Sequence, residues 1–370
     1  MHIDPRFEPV LREMERQIDS GLRPSIQAAV RWRGELVLDA ARGPGAVEDR
    51  PYVLWSSTKP LVAVALLQAV EEGLIDLDER VGKRIPEFAR HGKEAVTVIQ
   101  LLTHRGGFPG ASPKLAKQLS KLAPDFDACV QFVCDLEALW EPGTDRGYHP
   151  ASSWYIVAEL VQRLRDQPLS EVLRQRVLEP CGIPDHAFCL GEPERLREKP
   201  VPVQTNGERG APDESEARFW NDDRTHESVI PGASGIGIAR ELTRFYQALL
   251  QGGRGPNGNL LSARMVRVAT FPHAVGTTDR TFLRDIPWGL GFHLKHVRPS
   301  LDDCGDSASL GTFGHAGHFL VNTFWADPVK DLAVGFLSNG LTAPKRGMDA
   351  VNRLSESVHR VVDALVPETE

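Results

Sequence analysis

Ser56 and Lys59 stand three residues apart in Trp55-Ser56-Ser57-Thr58-Lys59-Pro60, at the head of a long apolar stretch. At that spacing they share one face of a helix. A serine at a helix start also serves as an N-cap. The lysine has no such ordinary role. A cation in the first turn opposes the helix dipole at a cost of about 0.3–1 kcal/mol, and this one precedes residues that are almost all apolar. Burial and the dipole both lower its pKa, the condition for a lysine to act as a general base. A neutral Lys59 beside the Ser56 hydroxyl is a nucleophile–base pair.

Two further segments carry reactive side chains. Tyr148 lies between Gly147 and His149-Pro150, just ahead of a helical pattern. Such a loop aims a phenol into a cleft or packs its ring on the surface. The run Gly311-Thr-Phe-Gly-His315-Ala-Gly317-His318 leads into a strand, where glycines let a ligand lie against the backbone. His315 and His318 do not read as a metal pair, because residues three apart on a strand point to opposite faces. Other segments are set aside. Gly232-Ala-Ser234-Gly235-Ile236 lacks the second glycine of a nucleophile elbow. Asp76-Leu-Asp78 lacks the glycine and glutamate of a calcium loop. Cys129 and Cys134 pack on a helix, and His104 and Arg105 sit at a helix end where the dipole accounts for them.

These residues need elements to hold them. Phe7, Val10, Leu11, Met14 and Ile18 recur at helical spacing, predicting a helix that ends near Gly21. Ile26 to Trp32 and Glu35 to Ala40 read as strands joined at Arg33-Gly34. Pro60 to Val70 is apolar on almost every face, so it predicts a central buried helix capped by Gly73. Helices follow over Val96 to His104, Phe126 to Leu139, Ser152 to Arg165, Leu169 to Leu178 and Ala239 to Leu250. Leu196 to Pro231 reads as a long surface loop. Trp288 to Lys295, His318 to Trp325 and Leu332 to Leu337 are β-type runs, the last two joined through Ala326 to Asp331, and Met348 to Leu365 closes the chain as a helix. Strands at both ends imply an α+β fold with a helical lobe inserted in its middle. The expected unit is a single domain over residues 1–370, with an α/β lobe of about 1–74 and 252–370 and a helical lobe of about 75–251.

Composition excludes several classes. The 370 residues carry a net charge of -7, which gives no field to hold a nucleic acid. The longest apolar run, Leu61 to Leu67, is far short of the roughly 20 residues that span a bilayer. The charged N-terminus, MHIDPRFEPVLREMERQ, has no apolar signal core, and five irregularly spaced cysteines do not suggest disulfides. A cytoplasmic location is expected, with a small-molecule partner, no nucleic acid, no membrane, and no metal or cofactor.

Taken together, the Ser-x-x-Lys, Tyr and His-x-Gly elements occur in the order found in the serine β-lactamase and penicillin-binding-protein-like superfamily. Leu101-Leu-Thr-His-Arg-Gly-Gly-Phe108 resembles that family's Leu-Leu-Thr-His-Thr-Ser-Gly-Leu, and Gly73-Leu-Ile-Asp-Leu-Asp-Glu-Arg-Val81 its Gly-x-Leu-x-Leu-Asp-x-x-Val. Gly235 to Phe245, Trp288-Gly-Leu-Gly-Phe292 and Phe336-Leu-Ser-Asn-Gly340 are also similar. Within that superfamily the sequence resembles the class C-like branch that includes family VIII carboxylesterases, transesterases and D-amino-acid peptidases.

The resemblance implies a β-lactamase/transpeptidase-like fold with a central antiparallel sheet. It implies that Ser56 is the acylated nucleophile, Lys59 its base, Tyr148 the proton relay and His315 the third-motif residue. The backbone N–H groups of Ser56 and His318 would form the oxyanion hole, with Gly317 and Trp288 as candidate substrate contacts. From their own positions, Trp288 and Trp325 read either as cleft walls or, beside strands, as core. Two departures favour neutral esters. Tyr-x-Asn reads Tyr148-His149-Pro150, with Ser152 or Ser153 as candidate substitutes for the amide, and a histidine replaces the lysine that attracts a carboxylate. The expected activity is cleavage of short-chain esters through an acyl-enzyme, with transesterification as a second outcome. The rivals are a β-lactamase or D-amino-acid peptidase with the same nucleophile, and a binding protein that retains the fold.

Overall fold

The structure is a computed structural model, and it describes residues 2–297 and 303–365. Its centre is a seven-stranded antiparallel sheet in the spatial order His2–Ile3, Glu35–Arg42, Ile26–Trp32, Leu332–Ser338, Thr323–Asp327, Phe313–Ala316 and His293–Leu294. Ile26–Trp32 pairs along its whole length with Leu332–Ser338, so the two ends of the chain meet in mid-sheet. The hairpin between Ile26–Trp32 and Glu35–Arg42 turns at Arg33 and Gly34, both at positive φ (52° and 84°), the geometry that matches strand twist.

Each face of the sheet is covered. Helices Glu8–Asp19 and Pro344–Leu365 pack against each other and bury Phe7, Val10, Met14, Val358 and Val362 against one face. Helix Ala239–Leu250 lies on the other face against Ile26–Trp32 and Leu332–Ser338. There Tyr246 stacks on Phe324 with ring centroids 6.0 Å apart, and the Ala239 N–H donates to Gln27 Oε1 at 2.6 Å. Helix Lys59–Glu71 runs through the main core beside Ser152–Arg165, and Leu61 to Leu67 are all at or below 1% exposure. Truncating one such leucine to alanine costs about 2–5 kcal/mol.

Several segments differ from the sequence expectation. Leu196 to Pro231 is not one loop. It contains helices Glu214–Asn221 and Asp223–His226, capped by Asp213 and Asp222, whose carboxylates accept from N–H groups of the first turn. Each is too short to show a period, so charge hid them. Trp288 to Lys295 is strand only at His293–Leu294, since Gly291 turns the chain at φ 81°. The strand at the third motif is Phe313–Ala316 itself. His318–Leu320 forms a 3₁₀ turn, and the next strand starts at Thr323. Helices Pro113–Leu122 and Ala263–Ala269, capped by Ser112 and Ser262, were not anticipated. The helix from Phe126 stops at Asp135, and the one from Leu169 is α only to Leu173 before a π turn. Among the described residues no helix is long and apolar enough to cross a membrane.

Candidate active site

Trp55–Thr58 is a 3₁₀ turn that feeds directly into helix Lys59–Glu71. With three residues per turn, side chains three apart eclipse each other, and Lys59 Nζ comes to 2.9 Å from Ser56 Oγ. Ser56 is therefore not an N-cap. Its oxygen also accepts from the Tyr148 hydroxyl at 2.8 Å. Of residues 51–69, Ser56 alone is not buried. The preceding Trp55 sits at φ +46°, a left-handed conformation that costs a bulky residue on the order of 1–3 kcal/mol. Packing holds it there, because its ring lies edge-on to Trp220 at 6.0 Å.

Lys59 is wholly buried, and burial drives its pKa well below the ordinary lysine value. Besides Ser56 Oγ, its nitrogen contacts the carbonyl oxygens of Pro150 at 2.9 Å and Gly232 at 2.7 Å. Carbonyls only accept, so a neutral amine donates to both and keeps its lone pair for the Ser56 proton. Gly232 belongs to the elbow-like segment set aside above. Ser234 is indeed buried in local bonds, accepting from Ile230 N–H and donating to Ser228 O. What the segment contributes is a backbone oxygen, and a Cβ at Gly232 would come to 3.0 Å from Lys59 Nζ.

Tyr148 is buried and its phenol is pushed up by burial, so it stays protonated and donates. Its ring stacks on Trp288 (5.6 Å, 12°) and touches Phe282 at 4.8 Å. Behind it lie two neutral histidines. His149 donates from Nδ1 to Gly147 O at 2.6 Å and accepts from Phe108 N–H at 3.2 Å, and burial pushes it down to about 3. His104 accepts the His149 N–H at its Nδ1 and is held well below its ordinary value by burial. This corrects the dipole reading of His104, which instead backs Tyr148 at 4.8 Å between rings.

His315 lies on Phe313–Ala316, with Nδ1 donating to Ala316 O at 2.8 Å and its ring 6.1 Å from that of Tyr148. Burial, with Lys59 nearby, lowers it to about 3, so it is neutral. The strand is tied to the Ser56 turn by Ser57, whose Oγ is 3.0 Å from both His315 O and Asn322 Oδ1. Asn322 Nδ2 donates to Val53 O at 3.0 Å. This clamp explains Gly317, where a Cβ would fall 1.9 Å from Asn322 Oδ1. The turn that begins at His318 lies against the Ser56 turn, with the His318 and Trp55 rings 6.2 Å apart. His318 Nε2 is 3.3 Å from Glu216 Oε1, which also accepts from Trp220 Nε1 at 2.8 Å.

Ser56, Lys59, Tyr148, His315, Gly317 and His318 are thus assembled in one place. Trp288 joins them but is only 2% exposed, behind Tyr148. Trp325 is not there. It is wholly buried in the other core, where its Nε1 donates to Ser355 and its ring stacks on His359. Ser152 spends its hydroxyl on the Phe108 and Pro109 carbonyls and Ser153 is wholly buried, so neither stands in for the missing amide. Sequence reasoning passed over Asn322, Glu216 and Asp279, a buried carboxylate that accepts the Tyr148 N–H at 3.1 Å. No motif marks these three, since each acts through a contact with a residue distant in sequence. Among the described residues no group of three or more His, Cys, Asp or Glu is placed to hold a metal.

Comparison with known proteins agrees with this architecture. A family model described as Beta-lactamase matches residues 11–356. The chain is 24% identical to the esterase/beta-lactamase LipL of Mycobacterium tuberculosis, over 92% of this chain and 83% of the relative. It is also 24% identical to a putative D-alanyl-D-alanine carboxypeptidase of Escherichia coli, over the same shares of 92% and 83%. The solved structure of EstA from Arthrobacter nitroguajacolicus Rue61a superposes with a TM-score of 0.79 at 26% identity, covering 99% of each chain.

Proposed function

The chain belongs to the beta-lactamase family, and from that premise we propose that it is a serine hydrolase that cleaves short-chain carboxylic esters through an acyl-enzyme on Ser56. The observation that carries this reading is the position of Ser56 Oγ, within 2.9 Å of an amine whose pKa burial depresses and 2.8 Å of a protonated phenol.

Mechanistically, Ser56 Oγ attacks the ester carbonyl as Lys59 takes its proton. The oxyanion is stabilised by the backbone N–H groups of Ser56 and His318, donors aimed at charge that appears only in the tetrahedral intermediate. Tyr148 hands its proton to the departing alkoxide and is reprotonated from Lys59. Water then repeats the steps on the acyl-enzyme and frees the acid. An alcohol in place of water gives transesterification.

Esters are favoured over β-lactams and D-amino-acid amides for two reasons. The third motif offers a neutral His315 rather than a cation for a substrate carboxylate. The position of the acylamino-binding amide is Pro150, whose carbonyl is engaged by Lys59. The beta-lactamase and carboxypeptidase names among the relatives keep that chemistry as the second reading. We treat the chain as one bilobed unit, because Ser56, Tyr148 and His315 come from distant parts of it. A cytoplasmic location is part of the same proposal, supported by five buried free thiols. The test is to compare turnover of p-nitrophenyl butyrate with that of a chromogenic cephalosporin and a D-alanyl amide. Ester turnover should dominate and vanish in Ser56→Ala. Faster cleavage of the cephalosporin or amide favours the second reading.

A further inference from the structure

Residues 277–285 form a tight turn fastened over Tyr148. Asp279, wholly buried, uses Oδ1 to accept the N–H groups of Tyr148 (3.1 Å), Thr281 (2.8 Å) and Phe282 (3.0 Å). Thr281 Oγ1 donates to Tyr148 O at 3.0 Å, and Asp279 N–H donates to Arg284 O at 2.9 Å to close the turn. Arg146 pairs with Asp285, and Arg280 pairs with Asp145 while lying 5.2 Å from the Trp140 ring. These contacts fasten the turn to Tyr148 and to the loop that precedes it.

Its tip is apolar and faces water. Phe282 is 44% exposed and Leu283 is 79% exposed, the latter at φ +57°. A leucine there is unfavourable twice over, in backbone conformation and in wetted apolar surface. Asn or Gly would satisfy the turn better. Strain that surrounding contacts over-determine is a mark of functional segments. The tip is also not remote from the chemistry, since the Phe282 ring is 4.8 Å from the ring of Tyr148.

We propose that Phe282 and Leu283 form a subsite for the alcohol portion of the substrate, and that this subsite takes apolar alcohols. The proposal rests on the reading of Ser56 as nucleophile and Tyr148 as proton donor. In acylation the Ser56 Oγ–acyl bond forms and the acyl–alkoxide bond breaks. The alkoxide takes the Tyr148 proton and leaves as the alcohol, and the proton removed from Ser56 returns through Lys59 to Tyr148. The departing oxygen must therefore meet the phenol, and its alkyl or aryl group extends past the ring packed against that phenol. The acyl group stays on Ser56 and does not need this surface. In transesterification the incoming alcohol enters by the same route, because it reverses the departure.

The experiment uses two matched ester series on the full-length enzyme. One keeps acetate and lengthens the alcohol from methyl to hexyl and phenylethyl, and the other keeps the methyl alcohol and lengthens the acyl chain. In Phe282→Ala and Leu283→Asn the hexyl-over-methyl ratio of kcat/KM should fall about ten-fold, while the ratio across acyl lengths holds. Both positions are exposed, Asn tolerates φ +57°, and a thermal melt checks folding. A ratio that falls along the acyl series, a uniform loss in both series, or no change in either variant overturns the subsite. If wild-type enzyme shows no Ser56-dependent turnover of any ester in the panel, the nucleophile assignment fails first, and the subsite with it.

Discussion

Lys59 Nζ lies 2.9 Å from Ser56 Oγ while the lysine side chain is fully excluded from solvent. Exclusion lowers the pKa of the amine, and the two carbonyls of Pro150 and Gly232 orient it. Lys59→Met keeps the apolar stem but removes the amine proposed as the base, so kcat/KM for esters should fall by about 10²–10⁴-fold. Circular dichroism should remain native, since the helix it begins is otherwise apolar. Turnover within a few-fold of wild type contradicts the role of Lys59.

Tyr148→Phe separates proton donation from packing, because the ring and its stack on Trp288 remain. A p-nitrophenolate leaves without protonation and an alkoxide does not. The loss should be about 10²-fold or more for an ethyl ester and markedly smaller for the p-nitrophenyl ester. Equal losses on both esters contradict a leaving-group role.

The pH dependence of stability follows from His149 and His315, both lowered to about 3 by burial against an unfolded value near 6.5. Their folded pKa values are depressed, so the unfolded chain binds protons first as pH falls. Stability is full above about 6.5 and drains away as pH falls towards 3, by on the order of a few kcal/mol for each residue. Urea midpoints measured from pH 7 to pH 4 should fall steadily, and His315→Asn should flatten the slope. A pH-independent midpoint contradicts neutral burial of these rings.

Gly317→Ala places a methyl 1.9 Å from Asn322 Oδ1 and forces apart the clamp of Ser57 and Asn322. Overpacking of this kind costs about 1–3 kcal/mol, and it shifts the turn that carries the His318 N–H. The melting temperature and kcat should drop together. An unaltered kcat at lower stability indicates that the turn does not serve the reaction.

The parts of this fold that were legible in the sequence are those with long or regular patterning. The central helix after Lys59 shows as an unbroken apolar run, and the strands Ile26–Trp32 and Leu332–Ser338 show as β-branched and apolar runs. Glu214–Asn221 did not show, because eight residues bury little more than Ala217 and Trp220 and otherwise read as charge. At the site, Ser56, Lys59 and Tyr148 were visible because their spacing is local or their motif is shared with a family. Asn322 and Asp279 were not, because their work is to bond Val53, Ser57 and Tyr148 across gaps of more than a hundred residues. His104 was misread for a related reason. Its position at a helix end is local information, whereas its burial against Tyr148 and Trp288 is tertiary.

The acyl-enzyme itself is the most direct test. Rapid quenching of wild-type enzyme with p-nitrophenyl acetate, followed by peptide mass mapping, should find a single acetyl adduct on the peptide carrying Ser56. A fluorophosphonate should label the same residue, and Ser56→Ala should take up neither. Turnover without any adduct, or an adduct on another side chain such as Ser234, contradicts the account.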